Sequence, residues 1–205
     1  MSCCYGAAET SGHIVVSPPK ITNKIAIVGN VGVGKTCLVS RFATGQWLGD
    51  QKATVGFCYS DVTMNNARCQ IWDTAGSEKY APVMPMYLRG ADVVVVCFDM
   101  NSLSPVSDCE AWIGIVESHV STKIIIAGMK SDTLPSDNVT SIAQQVGDSL
   151  AKYENALNGR FCHTCITTSA VTGEGVDKLF DHIAEHLPPL DDDTLQTLTS
   201  DRIRL

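Results

Sequence analysis

Eight residues, Gly29-Asn30-Val31-Gly32-Val33-Gly34-Lys35-Thr36, carry the spacing G-x-x-x-x-G-K-[ST] directly after the apolar run Lys24-Ile25-Ala26-Ile27-Val28. Glycines let successive backbone N–H groups converge on one anion, and a helix beginning near Gly34 adds the positive end of its dipole. Such a loop cradles the phosphates of a nucleotide, with Lys35 reaching the β and γ phosphates and the Thr36 hydroxyl on Mg²⁺. The competing reading is a glycine-rich turn in an unrelated domain. A strand before the loop and a helix after it count against that reading.

A phosphate loop alone fits an ATPase or a kinase equally well, and three further segments narrow the choice. Gln70-Ile71-Trp72-Asp73-Thr74-Ala75-Gly76-Ser77-Glu78 ends an apolar strand with a carboxylate placed for a Mg²⁺ shell, followed by a glycine whose N–H can face a γ-phosphate. Ile124-Ile125-Ile126-Ala127-Gly128-Met129-Lys130-Ser131-Asp132 ends another strand in K-x-D, and Thr168-Ser169-Ala170 closes a third. Guanine offers Asp132 two parallel donors, its N1–H and N2 amine, whereas adenine offers no such pair. In this order the four segments resemble the Ras-like small GTPases over roughly residues 22–187.

Within that superfamily, Thr54-Val55-Gly56, Met84-Pro85-Met86-Tyr87-Leu88-Arg89-Gly90-Ala91 and Arg41-Phe42-Ala43-Thr44-Gly45-Gln46-Trp47 are similar to the Rab branch and its endosomal members. The resemblance implies a P-loop NTPase small G-protein fold and a guanine nucleotide, GTP or GDP, as ligand. It puts Asn30, Val31, Gly32, Val33, Gly34, Lys35, Thr36 and Cys37 around the phosphates, and Trp47 over the guanine. Lys130, Asp132, Ser169, Ala170 and Val171 fall at the base. Thr36, Thr54 and Asp73 fall on the Mg²⁺, and Lys35, Thr54, Gly76 and Ser77 at the reacting phosphate. Tyr59, Trp72 and Tyr87 take the positions of an aromatic triad that effectors read, although packing between switch and sheet is an equally good account of Trp72. An exchange factor, a GTPase-activating protein and effectors are the implied partners, and a monomer is expected.

Four departures from the family pattern bear on activity. Ser77 stands where the family has the glutamine that orients the attacking water, and a serine hydroxyl lacks that reach. Val31 adds a branched side chain where a transition-state arginine would enter, so slow hydrolysis is expected. Met129 replaces the asparagine of N-K-x-D, and a lost polar contact weakens binding by about 0.5–1.5 kcal/mol. Val171 replaces the lysine of S-A-K, leaving Ala170 to offer its N–H to the base. Retained guanine specificity with a looser grip is the expectation. A nucleotide-bound scaffold that scarcely hydrolyses is the alternative, favoured by the same Ser77 and Val31; an ATP-using enzyme has only the phosphate loop in its favour.

Composition agrees. A chain of 205 residues, 44% hydrophobic with a formal charge of −7, suits one globular domain and argues against a general nucleic-acid surface. The strictly apolar run from Val93 to Phe98 is far short of a bilayer span, and the N-terminus lacks the blocks of a secretory signal. A cytoplasmic protein is expected, and the Rab resemblance adds peripheral attachment to the cytosolic face of endomembranes. No cysteine follows Cys165 and the residues end Arg202-Ile203-Arg204-Leu205, so as given they offer no acceptor for the C-terminal prenylation of Rab proteins; either the sequence stops short of the native end or anchoring differs, with Cys3-Cys4 a weak acylation candidate.

These groups need an α/β scaffold. Strand and helix alternate, which implies a largely parallel sheet covered on both faces, six-stranded by the resemblance. Apolar runs mark strands at 24–28, 92–98, 123–128 and about 161–167, while 57–63 and 67–73, joined by Asn65-Asn66, form a hairpin supplying the antiparallel edge. Helices are expected near 35–44, 105–118, 139–152 and 175–187, the last with Val176, Leu179, Phe180, Ile183 and Leu187 on one face. Asn138-Val139-Thr140, with glycosylation spacing, reads as a helix start. Residues 22–187 make the domain, with 1–21 and 188–205 as polar or proline-marked tails. The nine cysteines suggest reduced thiols. Cys162-His163-Thr164-Cys165 raises a metal or redox role, but positions i and i+3 of a strand face opposite ways and no second ligand pair appears, so structural thiols are expected.

Overall fold

The computed structural model describes residues 22–49, 51–64 and 67–188. The Asn65-Asn66 turn, Cys3-Cys4 and both tails other than Pro188 lie outside these residues.

Among the described residues, six strands form one sheet: β1 (Asn23–Gly29), β2 (Phe57–Met64), β3 (Ala67–Thr74), β4 (Val93–Asp99), β5 (Lys123–Met129) and β6 (Phe161–Thr168). Their spatial order is β2-β3-β1-β4-β5-β6. Only the β2–β3 pair is antiparallel, with Phe57 opposite Thr74 and Met64 opposite Ala67. The expected six-stranded, mostly parallel sheet with one antiparallel edge is thus observed.

The central strands are continuous runs of apolar residues because both faces are covered. Ile25, Ile27, Val93, Val95 and Cys97 pack toward α1 (Lys35–Thr44) and α6 (Val176–Glu185). Ala26, Val28, Val94, Val96 and Phe98 point the other way, toward α2 (Met84–Leu88), α3 (Pro105–Glu117) and α4 (Ser136–Leu150). The expected apolar face of α6 is present: Val176, Leu179, Phe180 and Ile183 are buried, and Leu187 packs partly against them.

Five elements differ from the sequence expectation. Pro82 lies inside a 3₁₀ helix over Glu78–Val83 and Pro85 in the first turn of α2, neither of which the apolar pattern marks. The helix expected at 139–152 begins at Ser136, because Pro135 at its N-cap has φ −58° and sets the entry; Asn138 therefore lies within the first turn. That segment also divides, with a short α5 (Lys152–Ala156) after α4. Finally, β6 slips against β5: Ile125 faces Cys162 while Ile126 faces Cys165, so His163 and Thr164 form a bulge.

Candidate nucleotide-binding site

The carboxyl ends of β1, β3, β5 and β6 open onto a single cavity of about 420 Å³, within the roughly 300–1,000 Å³ usual for small-molecule sites. Its walls include Val31 to Cys37, Trp47, Thr54, Gly76, Lys130, Asp132, Ala170 and Val171. The loop between β1 and α1 forms the floor. Gly34 sits there at φ +106°, a conformation that strains any residue with a side chain, and hands its backbone into α1.

Lys35 folds back over the loop, donating to the carbonyls of Gly29 at 2.8 Å and Asn30 at 2.9 Å. Burial lowers its pKa, while Cys97 and Asp73 act in the opposite direction. An ammonium has three donors, so one is left for a ligand. Thr36 donates to Asp73 Oδ2 at 2.6 Å, and Thr54 lies 2.8 Å from the Thr36 hydroxyl and 3.2 Å from the same carboxylate oxygen. Burial raises the Asp73 pKa; the Thr36 hydrogen bond, the Lys35 charge and the Thr54 hydrogen bond oppose it. Asp73 Oδ1 is buried and has no hydrogen-bond partner among the described residues. Two hydroxyls gathered beside a carboxylate with one oxygen unsatisfied form an all-oxygen donor set, which fits Mg²⁺. Gly76 presses on the loop from the other side: a Cβ there would come within 2.6 Å of the Asn30 carbonyl oxygen.

At the opposite end, Lys130 adopts φ +62° and pairs with Asp99 at 2.7 Å. Burial opposes ionisation of Asp99, but hydrogen bonds from Lys130 and Asn101 outweigh it and hold the carboxyl below its usual range. Asp132 is exposed and turned to the cavity wall, with Thr133 beside it. Arg41 of α1 donates to the Thr172 carbonyl at 2.9 Å and so braces the loop carrying Ala170 and Val171.

Not every residue singled out in the sequence lines the cavity. Asn30 has its carbonyl engaged by Lys35, and its side chain accepts from Trp112 Nε1 of α3 at 2.8 Å, so it shapes the loop. Ser169 is fully buried and accepts from the Thr172 N–H at 3.1 Å, making it a support for the base loop. Ser77 also lies outside the cavity wall; its carbonyl accepts from the Tyr80 N–H at 2.9 Å and begins the 3₁₀ turn. Met129, by contrast, does reach the cavity wall, yet it is buried to 1% exposure and joins the hydrophobic core, its sulfur 3.3 Å from the Thr168 hydroxyl. A packed thioether thus fills the place where the family pattern has an amide.

Of the aromatic trio, Tyr59 is exposed, Trp72 half-buried and Tyr87 buried. Phe57, which the motifs did not mark, stacks on Trp72 at 4.8 Å and meets Tyr87 at the same centroid distance. Lys24 caps the Trp72 ring at 3.9 Å. Trp72 and Tyr87 therefore back the surface that Tyr59 and Phe57 display. Asp99, Trp112, Thr133 and the cavity-lining Gln51, Lys52 and Ala53 were also unmarked. Asp99 ends β4 opposite Met129, so applying the carboxyl-end rule to every strand would have found it.

Among the described residues, no helix is long and apolar enough to cross a membrane. The Ras family model matches residues 24–188. The chain is 34% identical over 171 residues to the Ras-related protein Rab5 of Nicotiana tabacum, covering 80% of both chains. It is 35% identical over 175 residues to the Ras-related protein Rab-5A of Dictyostelium discoideum, again covering 80% of each. Against the GTP-binding protein YPT53 of Saccharomyces cerevisiae it is 30% identical over 193 residues, 90% of this chain and 84% of the relative. With the phosphate loop, the gathered threonine–aspartate set and this coverage, the chain belongs to the Ras family as a divergent Rab-like small GTPase.

Proposed function

We propose that this protein is a guanine-nucleotide switch that binds GTP or GDP with Mg²⁺, hydrolyses GTP slowly and regulates vesicle traffic at the cytosolic face of endomembranes. The observation that carries the reading is the meeting of Thr36 from α1, Thr54 from the α1–β2 loop and Asp73 from β3 beside one cavity. A γ-phosphate arriving there has the Lys35 ammonium, the N–H groups of the phosphate loop and the Gly76 backbone within the same walls. Thr36, Thr54 and Asp73 are the residues to hold Mg²⁺, which when bound neutralises charge on the β and γ oxygens.

Asp132 supplies the carboxylate that pairs with both guanine donors, and Lys130, steadied by Asp99, covers the ring. Met129 contributes packing where relatives of the family pattern contribute an amide, which supports a looser hold on the base. Loss of the γ-phosphate removes what Thr54 and Gly76 share, and the two loops then part. The segments they anchor, with Tyr59 and Phe57 at the surface, are what an effector would read.

A hydrolysis-deficient scaffold is the second reading, favoured by Ser77 lying outside the cavity wall and by Val31, 63% exposed at its mouth. Single-turnover hydrolysis of bound GTP tests the choice. Slow but measurable release of phosphate supports the switch; bound GTP that outlasts the complex, in the wild type and in Ser77→Gln alike, supports the scaffold.

A further inference from the structure

Cys162 does not pair with Cys165. The bulge in β6 keeps them on opposite faces, Cys162 against the core shared with α6 and Cys165 against the other. Cys162 instead meets two histidines from the end of α6. His182 and His186 lie four residues apart and so share one helix face, with ring centroids 4.7 Å apart and planes at 85°. Cys162 Sγ is 3.3 Å from His182 Nε2. One donor atom from each of the three residues lies within 4.8 Å of the others.

We propose that Cys162, His182 and His186 bind a Zn²⁺-type divalent cation that ties the end of α6 to the start of β6, with a fourth position left for water or an external ligand. Metal–sulfur and metal–nitrogen distances of about 2.3 Å and 2.0–2.1 Å give tetrahedral donor–donor edges of about 3.3–3.6 Å. The observed 3.3 Å sulfur–nitrogen edge is about 0.2 Å short of the tetrahedral sulfur–nitrogen value, and the 4.8 Å bound on the donor set caps the distance that the third donor has to close. Thiolate with imidazole is a donor set that selects zinc-like ions over Mg²⁺ or Ca²⁺.

Two further features distinguish this cluster from an ordinary thiol–imidazole hydrogen bond. Glu185 Oε2 lies 3.3 Å from His182 Nδ1, the carboxylate contact that fixes a ligating histidine's tautomer and turns its Nε2 toward a metal. His186 Nε2 is buried and has no hydrogen-bond partner among the described residues, which a single Cys162–His182 contact leaves unexplained. Burial, helped by Lys123 and His182, lowers the His186 pKa and favours the neutral ring that can ligate. All three residues are half-buried, open enough for an ion to enter. On binding, the Cys162 thiol releases its proton to solvent and the thiolate pair forms the metal–sulfur bond.

The test uses the full chain loaded with GDP and Mg²⁺, in a Cys3→Ser/Cys4→Ser/Cys58→Ser background that removes two candidate thiols near the terminus and one exposed thiol. Co²⁺ is titrated in and then displaced by Zn²⁺ against a chromophoric chelator. The expected result is one equivalent of tetrahedral Co²⁺ with a thiolate-to-metal charge-transfer band, bleached by one equivalent of Zn²⁺. Cys162→Ser loses the charge-transfer band, and His186→Asn and His182→Asn each weaken Zn²⁺ binding by about 100-fold or more, whereas Cys165→Ser changes neither. GDP retention reports that a variant is folded; if Cys162→Ser fails that control, His186→Asn decides. The proposal is overturned by absence of a tetrahedral Co²⁺ spectrum, by a charge-transfer band that survives Cys162→Ser, or by Zn²⁺ binding unaltered in folded His186→Asn.

Discussion

Thr36 Oγ1 and Thr54 Oγ1 lie 2.8 Å apart although 18 residues separate them, and both reach one oxygen of Asp73. The first threonine lies in the first turn of α1, and the second belongs to a loop without regular structure. Such a contact can be made or lost without disturbing the sheet beneath it, which is what a two-state element needs.

Hydrogen exchange should register this. With a non-hydrolysable GTP analogue in place of GDP, residues 51–58 and 74–88 are expected to exchange more slowly, while β5 is unchanged. The first segment is the cleaner reporter, because Pro82 and Pro85 already restrain the second in either state. Thr54→Ala should erase the difference in residues 51–58. Equal protection in both states, with occupancy verified, would speak for a static scaffold.

Ser77→Gln is expected to raise intrinsic GTP hydrolysis by about tenfold, equivalent to roughly 1.4 kcal/mol off the barrier, by restoring an amide that can hold the attacking water. Val31 crowds the same mouth, so Val31→Gly/Ser77→Gln should be faster still. Single-turnover phosphate release measures both. Unchanged rates in the double variant would remove the missing glutamine as the cause of slow turnover.

Met129 packs in the core under the phosphate loop, 3.7 Å from where a Cβ on Gly34 would lie. Met129→Ala should therefore leave a cavity and cost about 2–5 kcal/mol, whereas Met129→Leu keeps volume and should cost under about 1.5 kcal/mol. Urea unfolding of the GDP-bound protein reads the two values. Equal, small losses would mean that the thioether bears no packing load.

The strands and the cavity floor were legible because both depend on local pattern: Val93 to Phe98 is apolar throughout, and the glycines of the phosphate loop have one geometric use. What escaped depended on distant pairs. Pro82 and Pro85 interrupt the helical pattern, so the 3₁₀ turn and α2 left no periodic trace. Asn30 and Ser169 carry the right residue types, yet Trp112 and the Thr172 N–H engage their side chains. Cys162 suggested Cys165 through spacing alone; only the packing of α6 on β6 brings His182 and His186 to it.

Guanine selection by Asp132 is the central claim, and displacement of a fluorescent GDP analogue by GTP and ATP measures it. Two hydrogen bonds to a charged carboxylate, at about 1.5–3 kcal/mol each, predict a preference for GTP over ATP of about 10²–10⁴-fold. Asp132→Asn should shift that preference toward xanthine nucleotides, which present a carbonyl where guanine has its amine. Equal displacement by GTP and ATP in the wild-type protein would contradict the assignment of this cavity to a guanine nucleotide.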